Sequence, residues 1–502
     1  MIRSLLRTLL FVVGLAAFAA TPAFAQEHGD KGGQSAAAGP GVLSLLPADS
    51  STDHTLQTGG ETLAYAATAG TFTLYDQNGE RSAKIFYTAY ALKDARAEAR
   101  PVTFAFNGGP GAASTYLHLG LAGPRIVDFG PERSGAPTAL RDNPDTWLKF
   151  TDLVFIDPVG TGWSRAAKAD KTNGFWNVRA DAQTIAKVIA LYVGKNGRSA
   201  SPKYLLGESY GGFRSLKVAR TLQQEQGLVV NGIVMVSPFL EGGLLFNANR
   251  FALGAALQLP SLAAAELDRK GKFTPEALAA AERFAMTEYL TTLAGAAPQG
   301  EAAERFYAKV AELTGVPVDI VRRTRGFLRD RYEKVEQGRE SFVASPYDAA
   351  ALAPDPYPEA AGTEGDDPIL DGYLQALGGA FVGYAGEELR FKTPMTFNLL
   401  NREIAGKWDW GAQRRGQASA VNDLREMLGL NPKFRVLIAH GRSDMVVPYA
   451  ATRYVIDHLP PIGAPGRVGL KVYKGGHMFY FAPDVRGAIM RDAAAFYQGG
   501  GT

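Results

Sequence analysis

Residues 204–212 read Tyr204-Leu205-Leu206-Gly207-Glu208-Ser209-Tyr210-Gly211-Gly212. An apolar run ends in Gly-x-Ser-x-Gly, and a helical pattern follows over 213–225. The spacing predicts a strand, a sharp turn and a helix, the arrangement of a nucleophile elbow. A serine at such a turn has a strained backbone, so small residues must flank it, here Gly207 and Gly211. The turn exposes the Ser209 hydroxyl, and the helix N-terminus beneath it favours developing negative charge.

The same alternation extends outward. Strands are expected at 70–75 and 82–91, joined by the turn Asp76-Gln77-Asn78-Gly79. An apolar strand at 101–106 runs into Asn107-Gly108-Gly109-Pro110-Gly111, and one at 153–156 runs into Asp157-Pro158-Val159-Gly160-Thr161-Gly162. A helix at 178–193 and a strand at 233–236 follow. From 242 to 388 strand signals vanish and the chain turns Ala-rich and charged, with helices expected at 262–270, 275–293, 302–313 and 318–332. That segment reads as an inserted helical cap. Alternation then returns, with helices at 421–428, 450–458 and 485–497 around strands at 435–439 and 468–473. The pattern predicts an α/β fold with a doubly wound, mostly parallel sheet, its core split into 59–241 and 389–502 by the cap.

At 502 residues, with 46% hydrophobic and 21% charged residues, the chain has an ordinary globular composition. A formal net charge of +3 and the lack of a basic block with interleaved aromatics argue against nucleic acid as a partner. Arg3 and Arg7 precede an apolar run over 9–20 and then Pro22-Ala23-Phe24-Ala25. This order predicts a signal peptide over 1–25, cleaved after Ala25, and a flexible linker over 26–58. No later apolar run is long enough to span a membrane. Zero cysteines and no Asn-x-Ser/Thr sequon fit a periplasmic or secreted bacterial protein.

A serine hydroxyl needs a histidine to take its proton and a carboxylate to orient that histidine. Two loops after Ser209 supply them. The strand at 435–439 ends in His440-Gly441-Arg442-Ser443-Asp444, and that at 468–473 ends in Lys474-Gly475-Gly476-His477-Met478. Of six histidines, only His477 follows a strand on a loop of its own. Asp444 is preferred to Asp457, on a helix, and to Asp484, which starts one. The Tyr210 amide supplies one oxyanion donor, and the glycine loop after Asn107 offers a second. No metal-ligand spacing is present, and no cofactor is implied.

Together these blocks resemble the serine carboxypeptidase family of α/β-hydrolases. Asn107-Gly108-Gly109-Pro110-Gly111, Asp157-Pro158-Val159-Gly160-Thr161-Gly162-Trp163-Ser164, Gly207-Glu208-Ser209-Tyr210-Gly211-Gly212 and Gly476-His477-Met478 are similar, in order, to its four motifs. The resemblance implies Ser209, Asp444 and His477 as the triad and the Gly109 and Tyr210 amides as the oxyanion hole. It also implies Asn107 and Glu208 as binders of a peptide substrate's terminal carboxylate. The chain departs from the family at Ala105, where a tryptophan is usual, and at Leu121, where many members carry a second glutamate. The expected function is an exported serine-type carboxypeptidase. An esterase or acyltransferase with the same triad is the nearest alternative, and a catalytically silent binding module the more distant one.

Overall fold

The computed structural model describes residues 41–93, 95–129, 140–337, 340–412 and 414–499. The expected signal peptide, and the linker as far as residue 40, lie outside the described residues.

The apolar runs become the interior of a ten-stranded sheet. Val102–Phe106, Asp152–Ile156 and Gly232–Val236 are buried at every position, as befits strands covered on both faces. In space the strands run Ser50–Thr58, Glu61–Tyr75, Arg81–Leu92, Asp152–Ile156, Val102–Phe106, Lys203–Glu208, Gly232–Val236, Arg435–Gly441 and Val468–Tyr473, with Arg165–Ala166 paired beside Arg81–Leu92. From Asp152–Ile156 onward every neighbouring pair is parallel. The first three strands pair antiparallel at one edge.

Alternate residues of each inner strand feed two different cores. Phe104, Leu205 and Ile233 pack with the helices Val178–Lys195 and Tyr210–Glu225. Ala105, Leu206 and Val234 pack with Pro368–Glu387 and Pro483–Tyr497. Helices therefore cover both faces, and the parallel strands all end at one edge, where ligands bind in such sheets.

Three expectations are corrected. The linker does not run to residue 58, because Ser50–Thr58 is a strand. Its sequence is polar because it is an edge strand with only Leu56 and Thr58 buried. The cap is not all helical: Lys334–Gln337, Glu340–Ser345 and Asp348–Pro354 form a three-stranded antiparallel sheet. The helix expected over 318–332 is Val318–Arg323, since Arg325 (φ 54°) and Gly326 (φ 89°) turn the chain left-handed just beyond it. The cap helices from Ala252–Arg269 to Val318–Arg323 pack around Leu259, Leu262, Tyr289, Phe306 and Val310, a third core that also takes in Met445, whereas Pro368–Glu387 packs against the sheet. Among the described residues no helix is long and apolar enough to cross a membrane.

Candidate active site

Ser209 sits between the strand Lys203–Glu208 and the helix Tyr210–Glu225, with φ 59° and ψ −124°. That conformation is costly for a residue with a Cβ and persists only where its surroundings enforce it. Here they do: the Ser209 amide donates to Val236 O at 2.9 Å, and its carbonyl accepts from Gly212 and Phe239. A Cβ on Gly207 would lie 2.1 Å from Gly211 O, so the turn closes only with glycine at that position.

The loop after Val102–Phe106 packs against this elbow. A Cβ on Gly108 would lie 2.5 Å from the Tyr210 nitrogen, so glycine lets the two backbones touch. Gly109 follows at φ 98°. Among the described residues neither the Gly109 nor the Tyr210 amide has a backbone acceptor. The loop is held from behind: Arg214, buried and paired with Asp181 Oδ2 at 2.7 Å, donates to the Asn107 carbonyl.

Asp444 and His477 come from the loops after the last two parallel strands, Arg435–Gly441 and Val468–Tyr473. His477 Nδ1 and Asp444 Oδ2 are 2.7 Å apart, with both side chains buried. Asp444 Oδ1 accepts from the Val446 and Val447 amides at 2.9 and 3.0 Å. Burial pulls the His477 pKa down, but the charge and hydrogen bond of Asp444, with Glu208 beyond, outweigh it and leave the pKa raised. His440, on the strand before Asp444, is instead a core residue. It bonds Thr452 at 2.8 Å, and burial lowers its pKa to about 3.

Ser209, His477, Asn107, Gly109, Tyr210 and Glu208 all line one cavity of about 560 Å³, whose far wall is the cap. Asp444 stands behind His477, outside the lining. Glu208 is buried, and Asn107 Nδ2 and the Tyr480 hydroxyl both donate to its Oε2, the latter at 2.8 Å. Burial raises the Glu208 pKa to about 7, against the charge of His477 and the two hydrogen bonds. Tyr480 is a site residue that the sequence reading missed. Phe479, Tyr480 and Phe481 are all buried, and no spacing rule tells which of the three faces a carboxyl group. Among the described residues no group of three or more His, Asp or Glu side chains could hold a metal ion.

Residues 66–229 match the family described as serine carboxypeptidase, a span that includes Asn107 and Ser209 and ends before Asp444. Serine carboxypeptidase-like 51 of Arabidopsis thaliana is 30% identical over 165 residues, which are 30% of this chain and 34% of that protein. Carboxypeptidase sxa2 of Schizosaccharomyces pombe is 30% identical over 134 residues, 26% of this chain and 24% of that protein. The chain thus spans only about a third or less of the length of these curated relatives. In fold it is similar to the prohormone-processing carboxypeptidase Kex1 of Saccharomyces cerevisiae, with a TM-score of 0.54 at 13% identity over 91% of this chain and 95% of that one.

Proposed function

We propose, since residues 66–229 match the serine carboxypeptidase family and 165 residues are 30% identical to a serine carboxypeptidase-like protein, that the chain is an exported carboxypeptidase releasing C-terminal amino acids from peptides. Ser209 attacks the last peptide carbonyl while His477 Nε2 takes its proton. The Gly109 and Tyr210 amides receive the oxyanion. His477 then passes the proton to the leaving amine, and water releases the acyl group from Ser209. Asp444 keeps the imidazole in the tautomer that can accept from serine.

The observation that carries this reading is the neutral-leaning Glu208 beside the nucleophile. A substrate carboxylate entering there meets a proton donor while Glu208 is protonated, and a like charge once it is ionised. With a pKa of about 7, Glu208 donates below neutrality and repels above it. Peptide KM should therefore rise through alkaline pH, by up to about tenfold per pH unit. In Glu208→Gln the amide donates at every pH, so that rise should disappear while ester hydrolysis persists. An unchanged KM profile in Glu208→Gln would favour the esterase or acyltransferase reading instead.

Export rests on the N-terminal charge and hydropathy pattern. The mature chain from the cell envelope should begin at Gln26. N-terminal sequencing that finds residues 1–25 retained on membrane-bound protein would mean an anchor in place of a cleaved signal.

A further inference from the structure

The cap does more than roof the cavity. Its strands Glu340–Ser345 and Asp348–Pro354 form a hairpin whose turn is Pro346-Tyr347. That turn is wedged between the loops that carry Asp444 and His477. The Pro346 carbonyl accepts from the Met445 and Val446 amides at 3.0 and 3.1 Å, just after Asp444. The next carbonyl, Tyr347 O, accepts from the His477 amide at 2.5 Å. Two consecutive cap carbonyls thus hold the acid loop and the base loop.

The other flank of Asp444 is held as well. The Ala349 amide donates to Ser443 O at 2.9 Å, and the buried Ser443 hydroxyl donates to Asp348 Oδ1 at 2.7 Å. Ser443 N in turn donates to Gly475 O on the histidine loop at 3.0 Å. The packing leaves no slack: a Cβ on Gly476 would lie 2.0 Å from Tyr347 O and 2.5 Å from the Asp348 Cα. The Tyr347 ring stands edge-on to the His477 imidazole, with centroids 5.6 Å apart, and lines the substrate cavity on its other side.

We propose that this hairpin turn sets the spacing of Asp444 and His477, with Asp348 as a positioning residue acting through Ser443. The inference rests on the triad reading above. If the hairpin only stabilised the fold, loosening it would lower melting temperature and leave the chemistry of folded molecules intact. If it positions the triad, loosening it weakens the Asp444–His477 contact. The acid limb of the rate profile would then shift down, because that contact outweighs burial in raising the His477 pKa. The other ionisable groups coupled to His477 are Glu208 and His440, and the Tyr347 phenol lies beside its ring. None of the three is touched by the substitution.

The test compares wild type, Asp348→Ala, Asp348→Asn, Ser443→Ala and the Asp348→Ala/Ser443→Ala double variant. Two readouts are used: the rate of Ser209 labelling by a fluorophosphonate, and the pH profile of kcat on a small ester without a carboxylate. Misplacement of about an ångström predicts a loss of roughly 10- to 100-fold for Asp348→Ala and for Ser443→Ala, with a lower acid limb. The double variant should be no worse than Asp348→Ala alone, because that substitution already removes the Ser443 contact together with the bond from the Ala350 amide to Oδ1 at 3.2 Å. Asp348→Asn, whose Oδ1 still accepts, should restore most of the rate. Should Asp348→Ala fold poorly, Ser443→Ala alone carries the comparison. Labelling at the wild-type rate with an unmoved acid limb in folded Asp348→Ala or Ser443→Ala would overturn the inference, as would fully additive losses. A wild-type protein inert to the probe would overturn the nucleophile assignment, and this inference with it.

Discussion

Replacing Ser209 with alanine should lower kcat by about 10⁶ while the protein stays folded. The size follows from how a serine nucleophile, its base and the orienting acid act: none substitutes for another, so losing one costs nearly as much as losing all. The fold should survive, because the strained backbone at Ser209 is held by main-chain hydrogen bonds to Val236, Gly212 and Phe239. None of these uses the hydroxyl. Alanine keeps the same Cβ, so the elbow meets no new clash. Kinetics with an ester and a peptide, set beside a thermal melt, check both halves. A phosphonate should label Ser209 in the wild type and nothing in the variant. Labelling of another serine with activity intact would remove the mechanism.

Asp444→Asn should lose roughly 10⁴ in kcat with binding retained. The geometry gives the reason. Oδ1 of Asp444 already accepts two backbone amides, from Val446 and Val447. An asparagine must therefore keep its oxygen there and turn its NH₂ toward His477 Nδ1. The imidazole would then accept at Nδ1 and carry its proton on Nε2, where it cannot take one from serine. NMR of the imidazole nitrogens would show the exchanged tautomer. Asp457 provides the control: it is exposed at the end of the helix Tyr449–Asp457, and Asp457→Asn should change nothing. The reverse pattern would move the acid assignment.

The core of the sheet is legible in the sequence because parallel strands buried on both faces must be continuous apolar runs. Glycine-rich loops mark where they end. The same rule hides Ser50–Thr58, whose exposed edge asks for little apolar surface. It hides the cap sheet too, since strands as short as Lys334–Gln337, set among alanines and charges, leave no period to read. Ser209, Asp444 and His477 stand out because each follows a strand that the pattern identifies. Tyr480 and the hairpin turn Pro346-Tyr347 do not, because their positions depend on packing between segments far apart in the chain, Tyr480 with Glu208 and the turn with Met445, Val446 and His477. Glu208 lies between these cases. Its place beside the nucleophile is in the sequence, but its raised pKa comes from burial that only the folded chain creates.

The most direct test of the account is mass spectrometry of a peptide library presented once with free and once with amidated C-termini. Recognition through Asn107 and Glu208 requires a terminal carboxylate. The wild-type protein should shorten free peptides one residue at a time from the C-terminus and leave their amidated counterparts untouched, and Ser209→Ala should leave both intact. Equal cleavage of the two sets, or cuts at internal bonds, would contradict a carboxypeptidase.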